Sequence, residues 1–248
     1  MTKVRIDRLV VDLGLVASRQ KAQSLIMAGR VLVNETAVTK AGTPVDTEAS
    51  IRIKEDLPFV SRGGIKLNGA LDDLNVSVRD RIILDVGAST GGFTDCCLQR
   101  GARLVYAIDV GTNQLDYALR THPQVRSFEQ TNARDLNPSM FDLRPELAVI
   151  DVSFISITKI LDAVLRCLSP GGEIVAMVKP QFEVGPERVG RGGVVRNDAD
   201  RLDAVQTVIR CGASMGLVCA GTSESCIAGP KGNREIFVHL VAPENPSC

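Results

Sequence analysis

Five short apolar runs rich in β-branched residues pace the larger part of this chain: Ile82 to Val86, Leu104 to Val110, Val125 to Glu129, Leu147 to Val152 and Glu173 to Val178. Helical stretches around 92–100, 113–120 and 157–168 separate them. Strands that are apolar on both faces and alternate with helices fold as βαβ units around a parallel sheet covered on both sides. A further helix at about 198–215 precedes two more strands, 217–226 and 235–242, joined through Gly229-Pro230-Lys231-Gly232-Asn233. The expected body is a Rossmann-like α/β sheet of seven strands, the last antiparallel. No apolar run approaches the ~18 residues of a spanning helix, and Met1-Thr2-Lys3-Val4-Arg5 leads into no signal-like core. No membrane insertion and a cytoplasmic location are therefore expected. The seven cysteines (96, 97, 167, 211, 219, 226 and 248) show neither C-x-x-C nor zinc-type Cys/His pairing, so reduced, mostly buried thiols and no metal site are expected.

Ahead of this body the chain has a different grammar. Ile6, Leu9, Val10 and Leu13 recur at helical spacing, Gly14 ends that helix, and Ser18 caps a second one with Ala22, Leu25 and Ile26 as its apolar stripe. Val31-Leu32-Val33, a turn at Asn34-Glu35 and a strand at Ile51-Arg52-Ile53 complete a small α+β unit. The 29 basic and 29 acidic side chains of the chain cancel, but not evenly. Residues 1–54 carry nine Lys/Arg against five Asp/Glu, a net of +4, which leaves 20 against 24, a net of −4, for the rest. A basic head on an acidic body suggests a polyanion-binding module joined to something else. The expected division is a head over 1–54, a linker over 55–60 around Glu55-Asp56-Leu57-Pro58, and a body over 61–248.

The first strand of the body runs through Asp85 and Val86 into Gly87-Ala88-Ser89-Thr90-Gly91-Gly92-Phe93, directly before a helix. Glycine there lets backbone approach a ligand at the carboxyl edge of the sheet, where open α/β sheets bind ligands. Asp109 ends the second strand, 22 residues after Gly87, where a carboxylate can accept hydrogen bonds from ribose hydroxyls. Taken alone this fits a nicotinamide dinucleotide as well as S-adenosylmethionine. The loop lacks strict G-x-G-x-x-G spacing, and Asp85 ahead of it suits an ammonium better than a pyrophosphate, which tilts the choice to the methyl donor. Asn132, after the third strand, is placed to meet an adenine, with turn formation as its competing role.

Asp151 ends the fourth strand and Lys179 the fifth, so adjacent parallel strands would set them side by side at the same edge. The apolar run Ile174 to Val178 partly desolvates Lys179, which favours the neutral amine that can take a proton; a plain ion pair with Asp151 is the alternative. Arg62 is a candidate phosphate contact, and Gly63 and Gly64 would let a nucleic-acid backbone come close. Phe154 and Phe182, just past the two strand ends, could stack on a base or serve as core. The segment Glu183 to Val195, with Arg188 and Arg191, is expected to be a mobile loop.

Two resemblances follow from these strings. The pattern S-R-Q-K-A-x-x-L-I-x-x-G-x-V-x-V-N from Ser18 to Asn34 resembles the RNA-binding module named after ribosomal protein S-four, over about residues 3–54. That resemblance implies RNA contacts from Arg5, Arg19, Lys21 and Arg30. Lys66, Asp151, Lys179 and Glu235 reproduce in order the Lys-Asp-Lys-Glu tetrad of FtsJ/RrmJ-type ribose 2′-O-methyltransferases. G-A-S-T-G-G-F-T, D-V-S-F-I-S, V-K-P-Q-F-E-V-G and G-P-x-G-N-x-E look like the TlyA family in particular. The resemblance implies a class I methyltransferase sheet, S-adenosylmethionine as cofactor, and 2′-O-methylation of cytidine in ribosomal RNA within ribosomal subunits. It also implies roles: Lys179 as base, Lys66 as a fixed cation for the developing alkoxide, Asp151 orienting Lys179 and favouring the cofactor's positive end, and Glu235 holding Lys66 or Lys179.

The short reach of the chain beyond its first and last elements resembles family members that modify large-subunit RNA. An N-methyltransferase would carry Asn/Asp-Pro-Pro-aromatic after the fourth strand, and Asp151-Val152-Ser153-Phe154 has neither proline. A binding-only protein that transfers no methyl group is a second rival. A membrane-disrupting haemolysin, a name some family members carry, would need a segment that enters lipid, and none is evident.

Overall fold

The computed structural model describes residues 3–54, 57–229 and 232–242. Glu55 and Asp56 of the expected linker, Pro230 and Lys231 of the last connection, and Cys248 lie outside the described residues. The chain divides into two compact units, Met1–Leu57 and Pro58–Cys248.

In the first unit, β1 (Lys3–Arg5) leads into α1 (Ile6–Asp12) and then α2 (Arg19–Met27). Ser18 Oγ accepts from the Lys21 N–H at 3.3 Å, the cap expected there. Strands β2 (Val31–Val33), β3 (Thr36–Val38), β4 (Pro44–Asp46) and β5 (Ile51–Ile53) follow. They form an antiparallel sheet β3-β2-β5 and a β1-β4 pair. Asn34 and Glu35 make the β2–β3 turn with φ of 47° and 65°, the left-handed pair that a two-residue hairpin demands. Ile6, Val10, Ala22, Ile26 and Val31 are completely buried and join the two helices to the sheet. Beneath them Asp7, also buried, accepts from Arg5 Nε (3.1 Å) and Nη2 (3.0 Å), Arg19 Nε (3.0 Å) and Gln23 Nε2 (3.1 Å).

The second unit opens with α3 (Arg62–Asp73), followed by β6 (Ile82–Val86), α4 (Gly92–Gln99), β7 (Leu104–Ile108), α5 (Tyr117–Arg120) and β8 (Val125–Phe128). It continues through β9 (Leu147–Ile150), α6 (Leu161–Cys167), β10 (Glu173–Val178), α7 (Pro180–Glu183), α8 (Asp198–Ser214), β11 (Val218–Glu224) and β12 (Ile236–Val241). The sheet order is β11-β12-β10-β9-β6-β7-β8, with β12 antiparallel to both neighbours, as expected for the last strand. Pleat alternation sends Leu84, Ile150 and Val238 to one face, under α6 and α8, and Ile83, Val149 and Phe237 to the other, under α3 and α4. Each such buried side chain is worth about 1.5–3 kcal/mol, so the two layers supply most of the driving force for this unit. Among the described residues no helix is long and apolar enough to cross a membrane.

Several expectations need correcting. The helix expected over 113–120 is a single turn, because Asp116 caps it by accepting from the Ala118 N–H at 2.8 Å and Asn113 sits at φ 53°. The helical stretch expected over 157–168 is present, as a 3₁₀ turn at Ile157–Lys159 followed by α6. Helix α3 was not anticipated. Gly63 and Gly64, expected to admit nucleic-acid backbone, lie inside it; a Cβ on Gly64 would sit 2.4 Å from the Phe59 side chain and 2.8 Å from the Gly92 carbonyl. Gly64 is there to let helices meet. The segment from Glu183 to Val195 holds a 3₁₀ turn at Pro186–Arg188 and a Gly190–Val194 bridge. Asn233 pins it, accepting from the Val195 N–H at 3.0 Å and donating to the Gly193 carbonyl at 2.8 Å.

Candidate active site

The carboxyl ends of β6, β7 and β9 open onto a cavity of about 480 Å³ bordered by Gly87, Ser89, Asp109, Asn132, Asp151 and Phe154. Gly87, at φ 87°, turns the chain out of β6 so closely that a Cβ would lie 2.6 Å from the Asp151 carbonyl oxygen. Asp109 at the end of β7 braces this loop: Oδ2 accepts from the Ser89 N–H at 2.8 Å and Oδ1 from the Gly111 N–H at 2.7 Å. Each oxygen keeps a further lone pair for a ligand. Asn132 performs the turn role, accepting from the Arg134 N–H at 3.0 Å, while bordering the cavity as well.

Ala88, Gly91 and Gly92 of the glycine-rich loop make packing contacts. Ala88 is buried with Leu115 and Leu119, Gly91 abuts the same two leucines, Gly92 abuts Ser61 and Gly64, and Thr90 is exposed. Phe93, expected to touch the cofactor, is instead buried in the core and stacked 6.1 Å from Phe237. It occupies the second position of α4, on the side of the helix that faces the sheet.

Asp85 is completely buried just before this loop. Its Oδ2 accepts from Thr94 Oγ1 at 2.6 Å, and its Oδ1 has no partner among the described residues. Burial pushes its carboxyl up to about 7 against the opposing Thr94 hydrogen bond, with the negative charges of Asp151 and Asp109 adding to the rise. A buried carboxylate with an open lone pair, beside a backbone cradle without a Cβ, fits an ammonium-bearing ligand end. Thr94 was not anticipated; its one signal was a hydroxyl in the first turn of the helix after the loop.

The four tetrad residues form two ion pairs. Lys66 Nζ lies 2.5 Å from Glu235 Oε2, both side chains being less than one-tenth exposed. Lys179 Nζ lies 2.6 Å from Asp151 Oδ1 and donates to Ser153 Oγ at 2.8 Å. Strand register explains the grouping. Val178 pairs with Ile236, which sets Lys179 and Glu235 at the same end of β10 and β12. Ile150 pairs with Ala176, which places Asp151 alongside the last residues of β10. Glu235, which had two possible partners, holds Lys66. Ser153 was missed, although it stands two residues after Asp151.

Phe154 has φ 65° and is 91% exposed, so it is no core residue, and its ring centre lies 5.2 Å from that of Phe182. Positive φ in an aromatic residue is strained and clusters at functional sites. Arg62 donates to the Ala228 carbonyl at 2.7 Å. Arg188 is engaged by Asp203 at 2.6 Å and by Asp200 and Glu187 at 3.7 Å, while Arg191 is exposed. In the first unit Lys21 is exposed, Arg30 donates to the Lys54 carbonyl at 2.7 Å, and Arg5 and Arg19 are turned onto Asp7.

Comparison with known proteins agrees with this geometry. Residues 59–242 match the FtsJ-like methyltransferase family and residues 4–51 match the S4 domain. YqxC of Bacillus subtilis is 46% identical over 243 residues, covering 97% of this chain and 86% of that protein. The protein named 16S/23S rRNA (cytidine-2′-O)-methyltransferase TlyA, from Mycobacterium tuberculosis, is 43% identical over 240 residues, covering 96% of this chain and 90% of that one. A solved, hemolysin-named protein of Streptococcus thermophilus superposes with a TM-score of 0.76 at 45% identity, covering 99% of this chain and 90% of that one. With an S4 domain ahead of an FtsJ-like methyltransferase domain and full-length relatives of this kind, the chain belongs to the TlyA family.

Proposed function

We propose that this protein transfers the methyl group of S-adenosylmethionine to the ribose 2′-oxygen of a cytidine in ribosomal RNA, acting on ribosomal subunits in the cytoplasm. The observation that carries the reading is the Lys179–Asp151 couple at the edge of the cavity, with the Lys66–Glu235 couple at the same end of β10 and β12 and with Asp85, buried just before the glycine-rich loop, keeping one oxygen without a partner among the described residues. Support for the substrate comes from the relative named for cytidine 2′-O-methylation of 16S and 23S rRNA. Large-subunit RNA is the expected target, being the substrate for which a Campylobacter jejuni relative, 32% identical over 243 residues, is also named.

When bound, S-adenosylmethionine supplies an electrophilic methyl group on a sulfonium. The residues that would hold it are Asp85, for the ammonium of its amino-acid end, Gly87 and Ser89 of the loop, and Asp109 and Asn132, for the ribose and adenine. A ribose hydroxyl is a weak nucleophile, so its proton must leave as the oxygen attacks. Lys179, aimed by Asp151 and Ser153, is the base that takes that proton. Lys66, fixed by Glu235, sets a positive charge near the oxygen as negative charge develops on it, and its buried position strengthens that interaction. Phe154 offers a face on which the target base stacks, and Arg62 and Arg191 contact phosphates; Arg188 must leave its acidic partners to do so. In the S4 domain Lys21, Arg30, Arg5 and Arg19 form the RNA face, so RNA affinity should fall with salt according to the number of phosphates neutralised.

The test is label transfer from S-adenosylmethionine to purified large and small subunits, followed by mapping of 2′-O-methyl positions. Lys179→Ala is expected to abolish transfer while leaving cofactor affinity, measured by calorimetry, within about twofold of the parent. Turnover near that of the parent would remove Lys179 from the mechanism, and no label on either subunit would sink the reading as a whole.

A further inference from the structure

The loop that leaves β9 carries Asp151, Ser153 and Phe154, and it is joined to the segment after β10 at three levels. Lys179 reaches Asp151 and Ser153 at the first, and the Phe154 and Phe182 rings meet at the second. The third is Glu183, to which the mechanism gives no part. Its Oε2 accepts from the Ser156 hydroxyl at 2.6 Å and its Oε1 from the Ile157 N–H at 2.8 Å. Both donors lie on the loop and Glu183 closes α7, so one side chain ties the end of the loop to the helix bearing Phe182.

We infer that Glu183 is a positioning residue for methyl transfer: its carboxylate latches the 153–157 loop to α7 and thereby holds Phe154 and Ser153 in place beside Lys179. The inference rests on the methyl-transfer reading above. An aromatic residue at φ 65° and 91% exposed is not kept there by its own burial, so its neighbours must hold it. Phe182 supplies one contact and the latch, beginning two residues farther along the loop, supplies the other. Ser156 is itself fixed for this purpose, since its Oγ, while donating to Glu183, accepts from the Thr158 N–H at 3.2 Å and from the Thr158 hydroxyl at 2.7 Å. Burial raises the Glu183 carboxyl above its usual value against the opposing Ser156 and Ile157 hydrogen bonds, so the site gives up hydration to make the latch. No hydrogen bond of this carboxylate reaches Lys179 or the cavity wall, which separates positioning from direct chemistry.

Four proteins test this: the parent, Glu183→Ala, Glu183→Gln and, as a variant that leaves the carboxylate in place, Ser156→Ala. In Glu183→Ala, hydrogen exchange of residues 153–157 should speed up, and kcat/KM for ribosomal subunits should drop about tenfold or more while cofactor affinity and Tm stay close to the parent's. Glu183→Gln should recover most of both, because the amide oxygen can accept from Ile157 while the Ser156 hydroxyl turns to accept from the amide nitrogen. Ser156→Ala removes one of the two ties and should fall between. Parent-like exchange in Glu183→Ala overturns the latch, as does equal impairment of both Glu183 variants in step with a lowered Tm. If the parent itself transfers no methyl group, the underlying reading fails, and the exchange experiment still decides whether the latch exists.

Discussion

Asp7 and Asp85 are both completely buried carboxylates, one in each unit, and they have opposite surroundings. Asp7 receives four hydrogen bonds from Arg5, Arg19 and Gln23, and the Arg5 guanidinium above all holds it well below the usual carboxylate range. Among the described residues Asp85 is hydrogen-bonded by Thr94 alone, through its hydroxyl and its backbone N–H, and burial lifts it to about 7. The difference teaches that burial of a charge does not mark a functional site. What marks it is unfilled hydrogen-bonding capacity, because the chain has left a buried acceptor for something else to satisfy. Asp7 is saturated by its own chain and is scaffold; Asp85 is the proposed socket.

The comparison breaks most visibly at Asp85. Replacement by Asn should weaken cofactor binding by roughly 10- to 100-fold, the equivalent of a charged hydrogen bond of about 1.5–3 kcal/mol, with Tm unchanged or raised. Titration calorimetry measures it, and undiminished affinity would place the socket elsewhere. Asp7→Ala should do the reverse. The S4 domain is expected to lose about 1–3 kcal/mol, read as weakened exchange protection across residues 6–26, with cofactor affinity untouched.

A smaller and graded effect is pH dependence. An ammonium ligand prefers ionised Asp85, so cofactor affinity should rise by up to about tenfold per unit as pH climbs toward about 7 and level off above it, and Asp85→Asn should flatten the profile. Without ligand the signs differ between the units. Asp85, raised on folding, contributes stability that is full below its usual 3.8 and is lost as pH rises through about 7. Asp7, depressed on folding, contributes stability that is present above 3.8 and is lost as pH falls. The smallest effect is expected at Arg188, whose nearest partner Asp203 is itself 44% exposed: Arg188→Ala should leave Tm unchanged within error. A clear drop in Tm would mean that this surface network matters more than its exposure implies.

Much of the fold was legible because the strands of the second unit are apolar on both faces, and a run such as Ile174 to Val178 has few other ways to fold. The Asp151–Lys179 pair was legible because both stand at strand ends, where topology brings them together, whereas Lys66 and Glu235 entered through the resemblance to the FtsJ/RrmJ-type tetrad. Helix α3 was not, since Gly63, Gly64 and Gly69 depress helix propensity and only tertiary packing against Phe59 and α4 overrides it. The misplacement of Phe93 has a similar source: chain proximity to the loop suggested ligand contact, and the helical rotation that turns it toward Phe237 is set by packing. Glu183 carries no local pattern, because it acts through partners that only the folded sheet brings near, and Thr94 offered no more than a hydroxyl in the first turn of α4.

Strand β12 separates β10 from β11 and brings Glu235 to Lys66, from which it is 169 positions distant in sequence. The cofactor cavity is built from β6, β7 and β9, all of which are made earlier. At ~5–20 residues per second of synthesis, Lys66 waits on the order of ten seconds or more for its carboxylate. During that time it can be neither aligned nor neutralised. The nascent enzyme is therefore assembled as a receptor first and as a catalyst last, and a chain stopped short of β12 should hold the methyl donor without spending it on RNA.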